Sequence, residues 1–481
     1  MRRRLSLLPL AGLLVLALAS PAQAAVQHLS YKFGPIAIAP GQNSISFEPN
    51  KLKPPVDGYI LSFTPNLTRT DGSVPPVDVL HLHHGVWVSN GRPLFAVGEE
   101  KTNLRMPDGY GWLYRTSDGW LMNHMIHNLT PSPAEVYITY EMDFVPLSDP
   151  AAAAIKPVQT LWLDVMGGTV YPVFDAVRGT GGRDHTLTYP GEQPALRGRH
   201  YALNRYVVPE DGALVGTAGH VHPGGLYTDL WLERAGQRVH LFRSKAHYWE
   251  PAGPVSWDMA MTATPASWRV HVRRGDVLEV TGTYATRRAS WYESMAIMPM
   301  AFAAGDPSGA DPFTTKVDVP GVLTHGRLAE NSNHGGALSG LPDLRQILST
   351  APLTRGRVTI SNFLAARGDI NVTGRRGRIP TVRRGRSLTF VNKDARDNIF
   401  HTITACRAPC NRTTGIAYPL ADGRGTFDSG ELGYGPVGAT PAANRATWST
   451  PRNLAPGTYT YFCRVHPFMR GAFRVASRRA H

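Results

Sequence analysis

YFCRVHPFMRG, residues 461–471, sets a cysteine, a histidine and a methionine at intervals of three: Cys463, His466 and Met469. The preceding GTYTYFC (457–463) reads as a strand running into this loop, so the three side chains sit at the end of a rigid layer. One strand away in the pattern, NIFHTIT supplies His401. A thiolate with two imidazoles and a weak thioether is a soft donor set that suits copper held for electron transfer. The chain has only three cysteines. Cys406 and Cys410, in CRAPC, are close enough to bridge in an oxidising compartment, which leaves Cys463 as the odd thiol.

The N-terminus implies that compartment. MRRRLSLLPLAGLLVLALASPAQAA (1–25) has a basic start, one apolar run and a small-residue end at Ala22-Gln23-Ala24. It reads as a signal peptide over 1–24, by the general or the twin-arginine route, and the expected location is secreted, periplasmic or cell-surface. No later segment is long and apolar enough to cross a bilayer as a helix. Forty-eight glycines and 39 prolines in 481 residues favour short strands and many turns. From Arg355 onward there are 21 Lys+Arg against 6 Asp+Glu, a basic tail on a mildly acidic body. No nucleic-acid motif accompanies those arginines, so no nucleic-acid partner is expected.

Strand patterns dominate. EVYITYEMDF (135–144) puts Val136, Ile138, Tyr140, Met142 and Phe144 on one face, the period of a half-buried strand. GDVLEVTGTYA (275–285) and GRSLTFVNKD (385–394) read the same way. The expectation is an all-β chain of sandwiches: two in the body over 25–160 and 161–300, a Gly/Pro-rich linker over 301–352, and a tail domain over 353–478.

The body carries more candidate ligands. VLHLHHGVW holds His81, His83 and His84; LMNHMIHN holds His124 and His127; GHVHPGG holds His220 and His222; WYESMAIMPM holds Met295. Residues two apart share a strand face, so His220 and His222 can clasp one metal. Two imidazoles with a thioether select a metal that cycles through Cu(I). His325 and His334, in GVLTHGRLAENSNHGG, read as linker histidines, with an extra metal site as the other reading. His240, His247 and His271 read as structural.

The loop YFCRVHPFMRG resembles the copper loop of amicyanin and related plastocyanin-like cupredoxins, over about the last 125 residues. That resemblance implies a Greek-key β-sandwich and a type 1 copper held by His401, Cys463, His466 and Met469. Phe462 and Arg464 stand where multicopper oxidases place flanking histidines, which argues against such an oxidase. The body resembles the copper type II, ascorbate-dependent monooxygenases, which act through two jelly-roll domains with one copper each. On that resemblance His83, His84 and His127 hold an electron-storing copper, with His124 the alternative third ligand. His220, His222 and Met295 then hold the copper that activates dioxygen, and are the catalytic set. Peptide-amidating members anchor a substrate carboxylate at positions that here are Ala218, Ile297 and Pro299, and animal members carry disulfides that this body lacks. The expected activity is hydroxylation of a C–H bond in an unknown organic substrate by dioxygen, fed by an external electron donor through the fused tail. A non-catalytic copper-binding electron carrier or copper-handling protein is the alternative.

Overall fold

The computed structural model describes residues 26–49, 51–167, 172–182, 184–192, 204–331, 348, 353–370, 377–407, 410, 417–434 and 445–477. The expected signal peptide and His334 lie outside them. The chain is all-β, and helical geometry enters as short 3-10 turns such as Pro150–Ala154 and Asp394–Asp397.

The alternation in EVYITYEMDF becomes the strand Ala134–Pro146. Val136, Ile138, Tyr140, Met142 and Phe144 are each 0% exposed, so this single face seeds the first core. Burying each such side chain stabilises the fold by about 1.5–3 kcal/mol. The strand pairs antiparallel with Gln27–Ile38 on one side and Gly58–Arg69 on the other. Across the sandwich lies a four-stranded sheet ordered Ile45–Pro49, Trp120–Asn128, Leu80–Ser89, Arg92–Gly98. Between the layers Phe63 stacks on Phe95 at 4.3 Å and meets Trp87 edge-on at 4.6 Å.

The division expected between residues 160 and 161 falls inside the strand Lys156–Asp164. That strand pairs parallel with Tyr110–Tyr114 of the first half and antiparallel with Ala296–Ala304 of the second. The two halves of the body therefore share one continuous sheet. The second half closes with a seven-stranded sheet that includes Gly225–Arg234, Gln237–Tyr248 and Val277–Ala285, over a core of Leu214, Phe242, Val280 and Phe302.

Residues 301–304, expected as linker, complete the strand Ala296–Ala304. From there to Asn331 the chain is largely irregular and strapped across the body. Lys101 pairs with Glu330 at 2.7 Å, Asn331 donates to Asp258 at 2.9 Å, and the Val77 amide donates to Asn331 at 3.1 Å.

The tail is a sandwich of a six-stranded and a four-stranded sheet around Phe390, Phe427, Tyr461 and Phe473. Its apolar contacts do not stop at its own edge. Tyr418, Leu420 and Phe462 belong to the core of the second body half, and Leu129 of the first half belongs to the core of the tail.

Candidate functional site

Two strands and one loop build the tail centre. His401 opens the strand His401–Ala405, and Cys463 follows the neighbouring strand Gly457–Phe462. The loop is closed by its own backbone: the Cys463 amide donates to Met469 O at 3.0 Å and the Met469 amide to His466 O at 2.9 Å. This holds Cys463 Sγ 3.8 Å from His401 Nδ1 and 3.7 Å from His466 Nδ1, with the two nitrogens 3.2 Å apart. His401 Nε2 donates to Asp394 Oδ2 at 2.9 Å, which leaves the Nδ1 lone pair facing the sulfur. Met469 is buried in the same cluster as Cys463. Cys406 and Cys410 are joined by a disulfide and Cys463 is free, as expected.

Burial alone would push the Cys463 thiol up. His401, together with the Thr402 and His466 amides that each donate to Sγ at 3.3 Å, outweighs it and holds the thiol below its ordinary range. A buried thiolate-prone sulfur with two imidazole nitrogens aimed at it fits a soft metal ion.

The body's histidines are positioned by a bulge. Leu80–Ser89 pairs with Trp120–Asn128, with His81 opposite His127, but the register slips between Leu82 and His84 so that His84 lies opposite Met125. His83 is the extra residue, and a bulge turns two consecutive side chains toward one face. His83 and His84 thus share a face with His127. Its strand-mate His124 is three residues away, which puts it on the opposite face, where its ring meets Phe33 at 6.1 Å.

The second half contributes His222, whose ring centroid is 4.7 Å from that of His83, while His127 lies 5.8 Å from His83. His222 Nδ1 donates to the carbonyl of Glu293 at 2.7 Å, leaving Nε2 buried and unpartnered. Glu293 itself holds a positive φ of 54°, a strained backbone conformation for a residue with a side chain. Trp257 walls the nest, 4.8 Å from the His81 ring and 5.8 Å from the His127 ring. Glu99 completes it: ligand atoms of His83, Glu99 and His222 lie within 4.8 Å of one another. His83 Nδ1, His127 Nδ1, His222 Nε2 and both Glu99 carboxylate oxygens are buried without hydrogen-bond partners. An orphaned buried polar atom is costly, and a metal ion relieves several at once. Burial, reinforced by mutual repulsion, holds His83, His127 and His222 well below the ordinary histidine range, so their lone pairs stay available at neutral pH.

His84, His220 and Met295 face a different cavity, of about 410 Å³. His84 Nε2 lies 3.1 Å from Asn123 Oδ1, and His220 Nδ1 donates to Glu100 Oε2 at 2.9 Å. Burial would lower His220, but Glu100 outweighs it and pushes it up to about 9. Tyr284 ties this side to the nest. Its hydroxyl accepts from the His222 and Met295 amides at 2.9 and 3.1 Å and donates to Met295 O at 2.6 Å. The two groups expected from sequence adjoin each other: the His222 ring lies 4.7 Å from His83 and 5.2 Å from its expected partner His220, and His84, 5.9 Å from His83, lines the cavity of His220 and Met295. His325 faces two carbonyl oxygens, of Glu100 and Gly326, at 2.6 Å each, so its nitrogens are spoken for.

The nest and the tail centre meet at a small cavity of about 60 Å³. His83, His127 and His222 line its body side, and Phe400, Arg464 and Val465 its tail side.

The sequence reading missed Glu99, Glu100, Asp394, Trp257 and Tyr284. Two adjacent carboxylates one glycine after the apolar run PLFAV were the available signal for the first pair.

No protein family matches the chain, and no curated protein does. Among solved structures it is similar to the Cu-containing nitrite reductase (NirK) from Thermus scotoductus SA-01, at 13% identity and a TM-score of 0.16. The match covers 56% of this chain and 59% of that one, so the chain spans less than two thirds of that protein's length.

Proposed function

We propose that this chain is an exported copper-dependent oxidoreductase, in which the tail takes up electrons from an external donor and the body hydroxylates a C–H bond of an organic substrate with dioxygen. The observation that carries the reading is the shared cavity. Residues adjoining Cys463 in the chain, Arg464 and Val465, form one wall of it, and His83, His127 and His222 form another.

His401, Cys463, His466 and Met469 would hold one copper, and His83, His127 and His222 with Glu99 a second; His220 and Met295 are the candidates for a third. Copper bound there would supply one-electron transfer at the thiolate centre and dioxygen activation in the body. The chain's own contribution is positional. Asp394 fixes the His401 tautomer, the Glu293 carbonyl fixes the His222 ring, and Tyr284 locks the strand ends that carry His222 and Met295. Burial keeps water from the thiolate. Arg464 holds the two centres in register across the cavity, so a donor is always at high local concentration.

The test is metal content by mass spectrometry, absorption of the oxidised protein, and reductant-dependent oxygen consumption with organic substrates. Two or more coppers per chain, a blue band and oxygen uptake are expected. A colourless copper-treated protein defeats the tail assignment. A blue protein that exchanges electrons but never consumes oxygen is instead the non-catalytic carrier.

A further inference from the structure

We propose that the 410 Å³ cavity beside His220 and Met295 is the substrate pocket, and that it takes an uncharged, predominantly apolar molecule. This rests on the redox reading above only in taking His220 and Met295 as the reacting end.

The walls are Val86, Val97, Trp162, Ala218, Ile297 and Pro299. They come from both halves of the body: Val86 and Val97 from the four-stranded sheet, Trp162, Ile297 and Pro299 from the continuous one. Phe47, 52% exposed, marks the side open to solvent. Polar groups gather at one place, where His84 pairs with Asn123 and His220 with Glu100. An apolar cavity with a few convergent polar groups is the usual form of a small-molecule site.

Charge narrows the class. Among the described residues no lysine or arginine lines the cavity, and the His220 imidazole there is already paired with Glu100 at 2.9 Å, so a carboxylate or phosphate would be desolvated without a free cation to meet it. The carboxylate that does line it, Glu100, already accepts from His220 and from the Gly98 amide at 3.1 Å, so an ammonium would find it engaged. A second cavity of about 390 Å³ shares Trp162, Ala218 and Pro299 as lining, which gives an elongated molecule room to extend away from Met295.

The test uses the full chain and two probes of equal length, 1-octanol and octanoate, titrated by calorimetry without turnover. Saturable 1-octanol binding is expected, with octanoate at least tenfold weaker. Ile297→Trp, which fills the cavity, should weaken 1-octanol at least tenfold while the blue absorption at Cys463 remains. If that variant fails to fold, Ala218→Leu, on the chain segment paired beside the strand of Ile297, fills the cavity more gently and should show the same loss in smaller degree. Octanoate binding as tightly as 1-octanol, or unchanged 1-octanol affinity in the filled variants, overturns the proposal. The two readings separate cleanly. A protein that binds 1-octanol but consumes no oxygen keeps the pocket and loses the oxygenase, whereas one that consumes oxygen and binds no 1-octanol loses the pocket.

Discussion

The guanidinium of Arg464 donates to the carbonyl of Ser290 at 2.7 Å and lies 4.3 Å from the Trp291 ring. Arg464 is the residue after Cys463, and Ser290 is three residues before Glu293, whose carbonyl orients His222. A single hydrogen bond therefore links the strand-end loops of the two centres. Asp428 reinforces it by accepting from the Ser290 amide at 2.8 Å.

Arg464→Ala leaves a buried carbonyl and a buried carboxylate short of a partner, and should cost about 2–4 kcal/mol of stability. The blue absorption should persist while reductant-dependent oxygen consumption falls about tenfold, from the lost register between centres. Arg464→Lys should recover little, because an ammonium cannot fork between Ser290 and Thr404 while stacking on Trp291. Thermal unfolding and stopped-flow reduction check this; equal rates in wild type and variant would remove Arg464 from the coupling.

Replacing His83, His127 or His222 by alanine should each lower bound copper by about one ion per chain. His124→Ala should lower none, since that ring faces Phe33 on the other side of the strand. Metal analysis after dialysis decides it, and copper loss in His124→Ala would reverse the reading of the bulge.

Asp394→Asn keeps the shape but removes the charge that holds His401. Copper affinity at the tail centre should fall about 10–100-fold, the usual cost of losing an outer-shell partner. A shifted blue band and faster loss of copper to a chelator are the readouts, with the body's copper unchanged.

Gly98→Ala tests the pairing of Glu100 with His220. A methyl there would sit 2.5 Å from Glu100 Oε2 and 2.5 Å from His220 Cε1, so the pair must separate. The expected result is a loss of about 1–3 kcal/mol from overpacking and impaired turnover, with an unchanged blue band because Cys463 belongs to another core. A variant of full activity would show that this contact is dispensable.

Asp306 gives the stability a pH dependence. Its burial would raise the carboxyl, but hydrogen bonds from Tyr110, Ser308 and Lys156 outweigh that and hold it at about 2. A depressed carboxylate stabilises the fold above its unfolded value of about 3.9, and that contribution is lost as pH falls through about 2. Asp306→Asn should therefore lower the melting temperature at neutral pH and flatten its fall in acid. Parallel curves for both proteins below pH 4 would contradict it.

The strand Ala134–Pro146 was legible in the amino-acid order alone, because an alternation of period two needs no knowledge of a partner. The tail loop was legible for the same reason: Cys463, His466 and Met469 are local to one another, and backbone bonds within seven residues close them into place. The rest of the site emerged only on folding. The bulge that turns His83 and His84 to one face is a mismatch between two strands, so neither strand encodes it alone. The approach of His222 to His83, and the capture of His220 by Glu100, depend on two separate sheets bringing together residues more than a hundred positions apart. Spacing along a chain reports which side chains share a face; which faces meet is settled when separate strands are buried against each other.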